Sequence, residues 1–178
     1  MAELCQSLRA EHQLIQRVLN AMATEAIRVD NGNPLNGIFV LCALKFLREF
    51  ADGVHFQKEE TVLFVRLEQM GVPRGGGPIG IMLDEHAQVR EMVAAIELKL
   101  EPAMHGDGEA AHALVQTIRD SVVLWRAHIE REDHLLFPMA EQLLGDRQKA
   151  EMLALFGEME SCGTAASQRQ VAWAESFG

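Results

Sequence analysis

Tyrosine is absent from the 178-residue chain, so no phenolate can serve as a metal ligand or radical site. Cysteine is scarce: Cys5, Cys42 and Cys162 are odd in number, far apart and without a Cys-x-x-Cys. That excludes a disulfide framework and a zinc-finger pattern, and leaves three reduced thiols, with Cys42 expected in the core. Basic clusters are missing. With a formal net charge of -10 there is no footprint for nucleic acid or for an anionic membrane surface. No apolar run is long enough to span a bilayer. The opening Met1-Ala2-Glu3-Leu4-Cys5-Gln6 has no basic stretch leading into an apolar core, so a cytoplasmic protein is expected. Strand-like alternation is lacking throughout. Gly75-Gly76-Gly77 could in principle cradle an anion, but no Lys or Ser/Thr follows at Walker-A spacing, so the run reads as a flexible connection.

What is present is helical. Leu4, Leu8, His12, Ile15, Leu19, Met22 and Ile27 recur at three- and four-residue steps and predict a helix from about Glu3 to about Val29. Asp30-Asn31-Gly32-Asn33-Pro34 breaks it, with Pro34 placed to open a second helix from about Leu35 to Met70, closed by Gly71. Gly53 is a costly residue for a helix interior, by about 1 kcal/mol against Ala, and suggests close packing near a site. A third helix is expected from about Ile79 to Leu100, ended by Pro102 and His105-Gly106-Asp107-Gly108, and a fourth from about Glu109 to Leu144. Pro138 should kink the fourth or end its regular part. Asp146 can cap a shorter helix over about Arg147 to Glu160, and a last amphipathic piece reaches Trp173 and Phe177. The chain therefore reads as one all-α domain over 1–178. It is an antiparallel up-down-up-down four-helix bundle over about 3–144, with an additional C-terminal helical extension over about 146–177 that docks on it.

One stretch occurs twice. His55-Phe56-Gln57-Lys58-Glu59-Glu60-Thr61-Val62-Leu63-Phe64 is matched by His128-Ile129-Glu130-Arg131-Glu132-Asp133-His134-Leu135-Leu136-Phe137. Each copy is preceded by a Glu-His pair, Glu11-His12 and Glu85-His86, at distances that differ by one residue. Such an internal repeat dictates architecture. A His and a Glu four apart lie on one side of a helix, a turn apart, and can reach one point in the interior. Burying those groups without partners is expensive. Two metal ions would satisfy all six: His12, His55, Glu59, His86, His128 and Glu132. If both glutamates bridge, each ion has two imidazole nitrogens and two carboxylate oxygens, and a bridging hydroxide would leave about one open position on an octahedral ion. These donors suit iron, manganese or zinc. The Glu-x-x-His spacing of ferritin-like bundles does not organise this chain, and there is no His-Glu-x-x-His.

A lone histidine on an apolar stripe is more often a satisfied core residue, and a lone His-x-x-x-Glu is often an exposed pair. Their recurrence in register, on four predicted helices, favours the metal. Asp133 and Glu60 remain alternative ligands beside Glu132 and Glu59. Glu11 and Glu85 are either partners of ring nitrogens or, as expected here, part of a solvated face. His105 and His112 read as surface or loop residues, and His134 as off the site.

These motifs resemble the hemerythrin-like (HHE cation-binding) family over roughly Leu8 to Leu144. The resemblance implies a four-helix bundle with a non-haem di-iron centre of two oxo- or hydroxo-bridged iron ions, and the six residues above match the family's ligand positions. Oxygen-carrying hemerythrins have a second histidine four residues along the third helix; here that residue is Arg90. The pattern is closer to members with His-x-x-x-Glu in both halves, some of them associated with nitric oxide or peroxide stress, iron–sulfur cluster repair or iron sensing. The repair proteins often carry an N-terminal cysteine-containing segment, for which Cys5 alone is a poor substitute. The first function expected is thus a di-iron protein that binds or turns over O2, NO or hydrogen peroxide. The alternative is an iron- or oxygen-responsive interaction module with a structural centre; a bundle whose histidines bind nothing comes third. Electron donor and oligomeric state are left open.

Overall fold

The computed structural model describes residues 4–161 and 165–177. The described residues form six helices and no strand: α1 (Gln6–Asp30), α2 (37–69), α3 (Pro78–Met104), α4 (108–143), α5 (Asp146–Ser161) and α6 (Ala165–Glu175). None is long and apolar enough to cross a membrane.

Local chemistry sets the ends. Asn36, rather than Pro34, starts α2: its side chain accepts the Phe39 N–H at 3.1 Å, and its own N–H is taken by Glu25 at 2.7 Å. Gly71, at φ +93°, closes α2 as expected. Asp107 caps α4 by accepting from the Glu109 and Ala110 N–H groups at 3.0 Å. Pro102 does not end α3. It sits exposed in the last turn, which runs on to Met104.

Pro138 does not end α4 either. Its neighbourhood departs from α geometry in a way that α2 shares. Glu59–Leu63 and Glu132–Leu136 are π-wound, with the Phe64 N–H bonded to the Glu59 carbonyl and the Phe137 N–H to the Glu132 carbonyl. The first copy has Val65 where the second has Pro138, so the proline is not the cause; the π turn belongs to the repeat. A further π segment covers Leu47–Phe56. A Cβ on Gly53 would lie 3.2 Å from the Arg48 carbonyl oxygen, so the glycine permits this winding rather than a contact with another helix.

Two apolar clusters form the interior. One gathers Ile15, Val18 and Leu19 of α1 with Leu44 and Phe46 of α2, Val93 and Ile96 of α3, and Ile118 and Trp125 of α4. The other gathers Leu4 and Leu8, Leu63 and Phe64, Ile79 and Met82, and Leu136 and Phe137. The second cluster takes the beginnings of α1 and α3 and the ends of α2 and α4, as alternating antiparallel helices require. The additions dock as expected. α5 contributes Met152 and Phe156 to the second cluster and α6 contributes Ala174 to the first. Cys5, not Cys42, is the core thiol: Cys5 is buried, with its pKa raised by burial and by Glu141, and Cys42 is half-buried. Cys162 lies outside the described residues.

Candidate metal centre

Between the two apolar clusters lies a polar layer. His12, His55, Glu59, His86, His128 and Glu132 are each at most 1% exposed. The structure brings all six sequence-predicted residues together, in two overlapping groups: His12, His55, Glu59 and Glu132, and Glu59, His86, His128 and Glu132. In each group one atom per residue lies within 4.8 Å of the others. The glutamates are the shared members. Glu59 is 3.5 Å from His55 Nε2 and 3.4 Å from His86 Nε2. Glu132 is 3.1 Å from His12 Nε2, 3.2 Å from His128 Nε2 and 3.9 Å from His86 Nε2.

Every Nε2 faces this interior because every Nδ1 is held from outside. His55 Nδ1–H donates to Glu11 at 2.8 Å, His86 to Glu60 at 2.7 Å, His128 to Glu85 at 3.0 Å and His12 to Asp133 at 3.0 Å. The bonds run round the bundle, each helix supplying the carboxylate for the next helix's ring: α1 to α2, α2 to α3, α3 to α4 and α4 back to α1. A proton fixed on Nδ1 leaves the Nε2 lone pair free for a metal.

This ring of bonds corrects two expectations. Glu11 and Glu85 are not on a solvated face; they are 8% and 7% exposed. Asp133 and Glu60 fall outside both ligand groups and serve as ring partners instead. Successive helical residues point about 100° apart, so the acid next to a ligand in sequence addresses the neighbouring helix. Arg90, in place of a fifth histidine, turns to Asp52 at 2.6 Å and Glu60 at 2.8 Å. His105, His112 and His134 are exposed, as expected.

Sequence reasoning missed the cations behind the carboxylates. The Lys58 ammonium bonds Glu11 and, at 2.6 Å, Glu160; Arg131 bonds Glu85; Arg90 bonds Glu60; and Arg9 lies 3.6 Å from Asp133. Lys58 and Arg131 stand at the same place in the two copies, three residues after the histidine, and that equivalence was the available signal. The repeat phenylalanines have matching tasks too. Phe64 stacks on His86 at 5.8 Å between ring centroids and Phe137 on His12 at 5.4 Å. Phe56 stacks on His86 more closely, at 3.6 Å.

The electrostatics are those of a site built for cations. Burial alone would lower the histidine pKa values, but the surrounding carboxylates outweigh it. Asp133 and Glu132 raise His12 to about 10, and Glu132, Glu59 and Glu60 raise His86 to about 10. Burial would raise Glu132, but His128, His12 and His86 hold it well below the ordinary carboxylate range. Even so the interior is not satisfied by protein alone. Both Glu59 oxygens, Glu132 Oε1 and the Nε2 atoms of His86 and His128 are buried without a hydrogen-bond partner. Each such group costs about 1–3 kcal/mol when left unmet. Two cations among these donors would meet them, so the residues fit a dinuclear metal site.

A helical bundle with two histidine clusters joined by shared glutamates defines the class: a four-helix bundle with a candidate dinuclear metal site. The Hemerythrin HHE cation binding domain matches residues 3–140, and the chain belongs to that family. Membership implies a di-iron centre. The chain is 31% identical over 140 residues to the iron-sulfur cluster repair protein YtfE of Edwardsiella ictaluri, covering 78% of this chain and 61% of the relative. It is 28% identical over 137 residues to the protein of that name from Salmonella paratyphi B, and likewise from Salmonella newport, covering 74% of this chain and 60% of each relative. The chain thus spans about three-fifths of the length of these relatives. No solved structure gives a significant match.

Proposed function

We propose that the chain is a di-iron protein that takes up a small oxidant, O2, NO or hydrogen peroxide, and that it acts in the repair of iron–sulfur clusters, as the names of its relatives indicate. His12, His55, His86 and His128 would hold the ions through Nε2, with Glu59 and Glu132, which belong to both groups, completing each set of donors. The observation that carries this reading is the set of buried donors without protein partners at the meeting point of both halves of the repeat.

Iron held there supplies electrons and Lewis acidity toward an oxidant. The protein's own part is preparation. Asp133, Glu11, Glu60 and Glu85 fix the imidazoles in the tautomer that presents Nε2, and Phe56, Phe64 and Phe137 pack against the rings. An apolar cavity of about 360 Å³, lined by Leu14, Phe50, Val54 and Val171, adjoins Glu11, the side chain that holds His55. It offers an uncharged diatomic a favourable place beside the centre.

The test is anaerobic loading with ferrous iron, metal analysis, and optical spectra during addition of O2, of NO and of peroxide. Two irons per chain, with new charge-transfer bands that form and decay in proportion to oxidant, are expected. One zinc per chain, or no bound metal, would overturn the di-iron reading. Two irons that stay inert to all three oxidants would leave the structural, iron-responsive module as the better account.

A further inference from the structure

The two halves of the repeat hold their histidines by the same bonds, yet they are covered differently. His12 and His86 are matched. Each is bonded to a partly exposed carboxylate, Asp133 or Glu60, attended by a partly exposed arginine, Arg9 or Arg90. The difference lies between His55 and His128. Glu11, behind His55, is bonded by Lys58, which is 0% exposed. Lys58 is bonded in turn by Glu160 at 2.6 Å and lies 5.5 Å from the ring centroid of Phe156. Both of these residues belong to α5, outside the repeat. Glu85, behind His128, is bonded by Arg131, whose side chain is 37% exposed.

For an ion to leave, a histidine must swing away from it, and the carboxylate on its Nδ1 must follow or let go. At His128 the cation released by that movement is taken up by water. At His55 it is a fully buried ammonium, and parting it from Glu11 costs one of its two carboxylate bonds where solvent does not reach the ammonium to replace it. Glu160 holds the ammonium from the far side.

We propose that Lys58 and Glu160 are positioning residues that make the two metal positions unequal. α5 locks the ion of the His12 and His55 group in place, and the ion of the His86 and His128 group is the one released first. For a protein acting on iron–sulfur clusters, this would give one exchangeable and one retained iron. The inference rests on the dinuclear reading above. It names Glu160, a residue beyond the domain match of 3–140, as part of the centre's working structure.

The test is anaerobic release of iron from the fully loaded chain to an excess ferrous chelator, followed by absorbance. Two phases of one iron each are expected. Partners of metal-binding histidines typically change metal affinity by about 10–100-fold, so Glu160→Gln should speed the slow phase by at least about tenfold and leave the fast one unchanged. Arg131→Gln should speed only the fast phase. Thermal melts confirm that both variants are folded; each replaces a side chain that is largely or partly in solvent. Anomalous diffraction from crystals of the half-emptied protein should place the remaining ion at His12 and His55. A single release rate in the unaltered chain, a slow phase indifferent to Glu160→Gln, or a remaining ion at His86 and His128 would overturn the proposal. A chain that never takes up two irons fails before the chelator is added, and that result overturns the dinuclear reading itself.

Discussion

Each of the four inward histidines has one nitrogen committed to a carboxylate and the other turned to the interior, so their protons and a metal compete for the same Nε2 atoms. This gives the metal-free and metal-loaded proteins opposite responses to pH. In the metal-free chain His12 and His86 are raised from 6.5 to about 10 by their carboxylates. A raised histidine contributes stability that is complete below the unfolded value and lost as pH climbs through the folded one. The metal-free protein should therefore melt at progressively lower temperature as pH rises from about 6.5 toward about 10. Metal binding must displace those protons, so affinity should strengthen over the same interval. Thermal melts with and without metal across that window check both signs; parallel curves would show that these histidines neither titrate there nor bind. The six residues of the candidate centre, which the structure brings together, were legible in the sequence, because His12, His55, Glu59, His86, His128 and Glu132 recur in register. Their partners were not. Glu11 sits beside His12 yet serves His55, and which helices are neighbours is decided by packing, which no local spacing encodes. Nothing in the local sequence marks Lys58 as buried.

Among the elements, α2 and α4 carry the repeat, and both unwind into a π turn at the shared glutamate. The sequence periodicity that located the helices is blind to this, since a wide turn shifts the apolar pattern only slightly and leaves a three- or four-residue spacing in place. Gly71 and Asp107 marked their helix ends correctly because turn and cap chemistry is local. Pro102 misled because a proline in the last turn of a helix forgoes little, whereas Pro138 did mark a departure from α geometry, one that belongs to the repeat rather than to the proline. Two substitutions separate these effects. Gly→Ala in a regular helix gains about 1 kcal/mol. Gly53→Ala should instead lose about that much, because the new Cβ meets the Arg48 carbonyl at 3.2 Å and that carbonyl is held by the π winding. Denaturant melts read the sign directly, and a gain would mean that the segment can return to α geometry at no cost. Pro138→Ala should leave metal stoichiometry unchanged, since Val65 holds the equivalent place beside an equivalent π turn. Loss of metal on that substitution would show that the second π turn, unlike the first, depends on its proline.

Taken whole, the molecule places a polar layer between two apolar clusters that are each well buried, and this decides what metal removal should do. The larger cluster meets the centre through Phe56, which stacks on His86 at 3.6 Å, but most of it, around Phe46, Val93 and Ile118, has no ring contact with the histidines and should keep the bundle folded without the metal. The smaller one, around Phe64, Phe137 and Phe156, is tied to the centre from both sides. Phe64 and Phe137 stack on His86 and His12, and Phe156 lies on α5 with Glu160. An ion that binds only the folded chain stabilises it by about 4 kcal/mol when present at a thousand times its Kd. At about 2–4 °C per kcal/mol for a chain of this size, chelation should lower the melting temperature by about 10 °C or more. The loss should be uneven. Amide exchange on chelation should accelerate first in α5 and in the ends of α2 and α4, and least in the middle of α1, where Val18, Leu19 and Met22 face the larger cluster. Acceleration spread equally over all six helices would mean that the two clusters unfold as one unit. In that event the centre stabilises the bundle as a whole, and α5 has no particular connection to it.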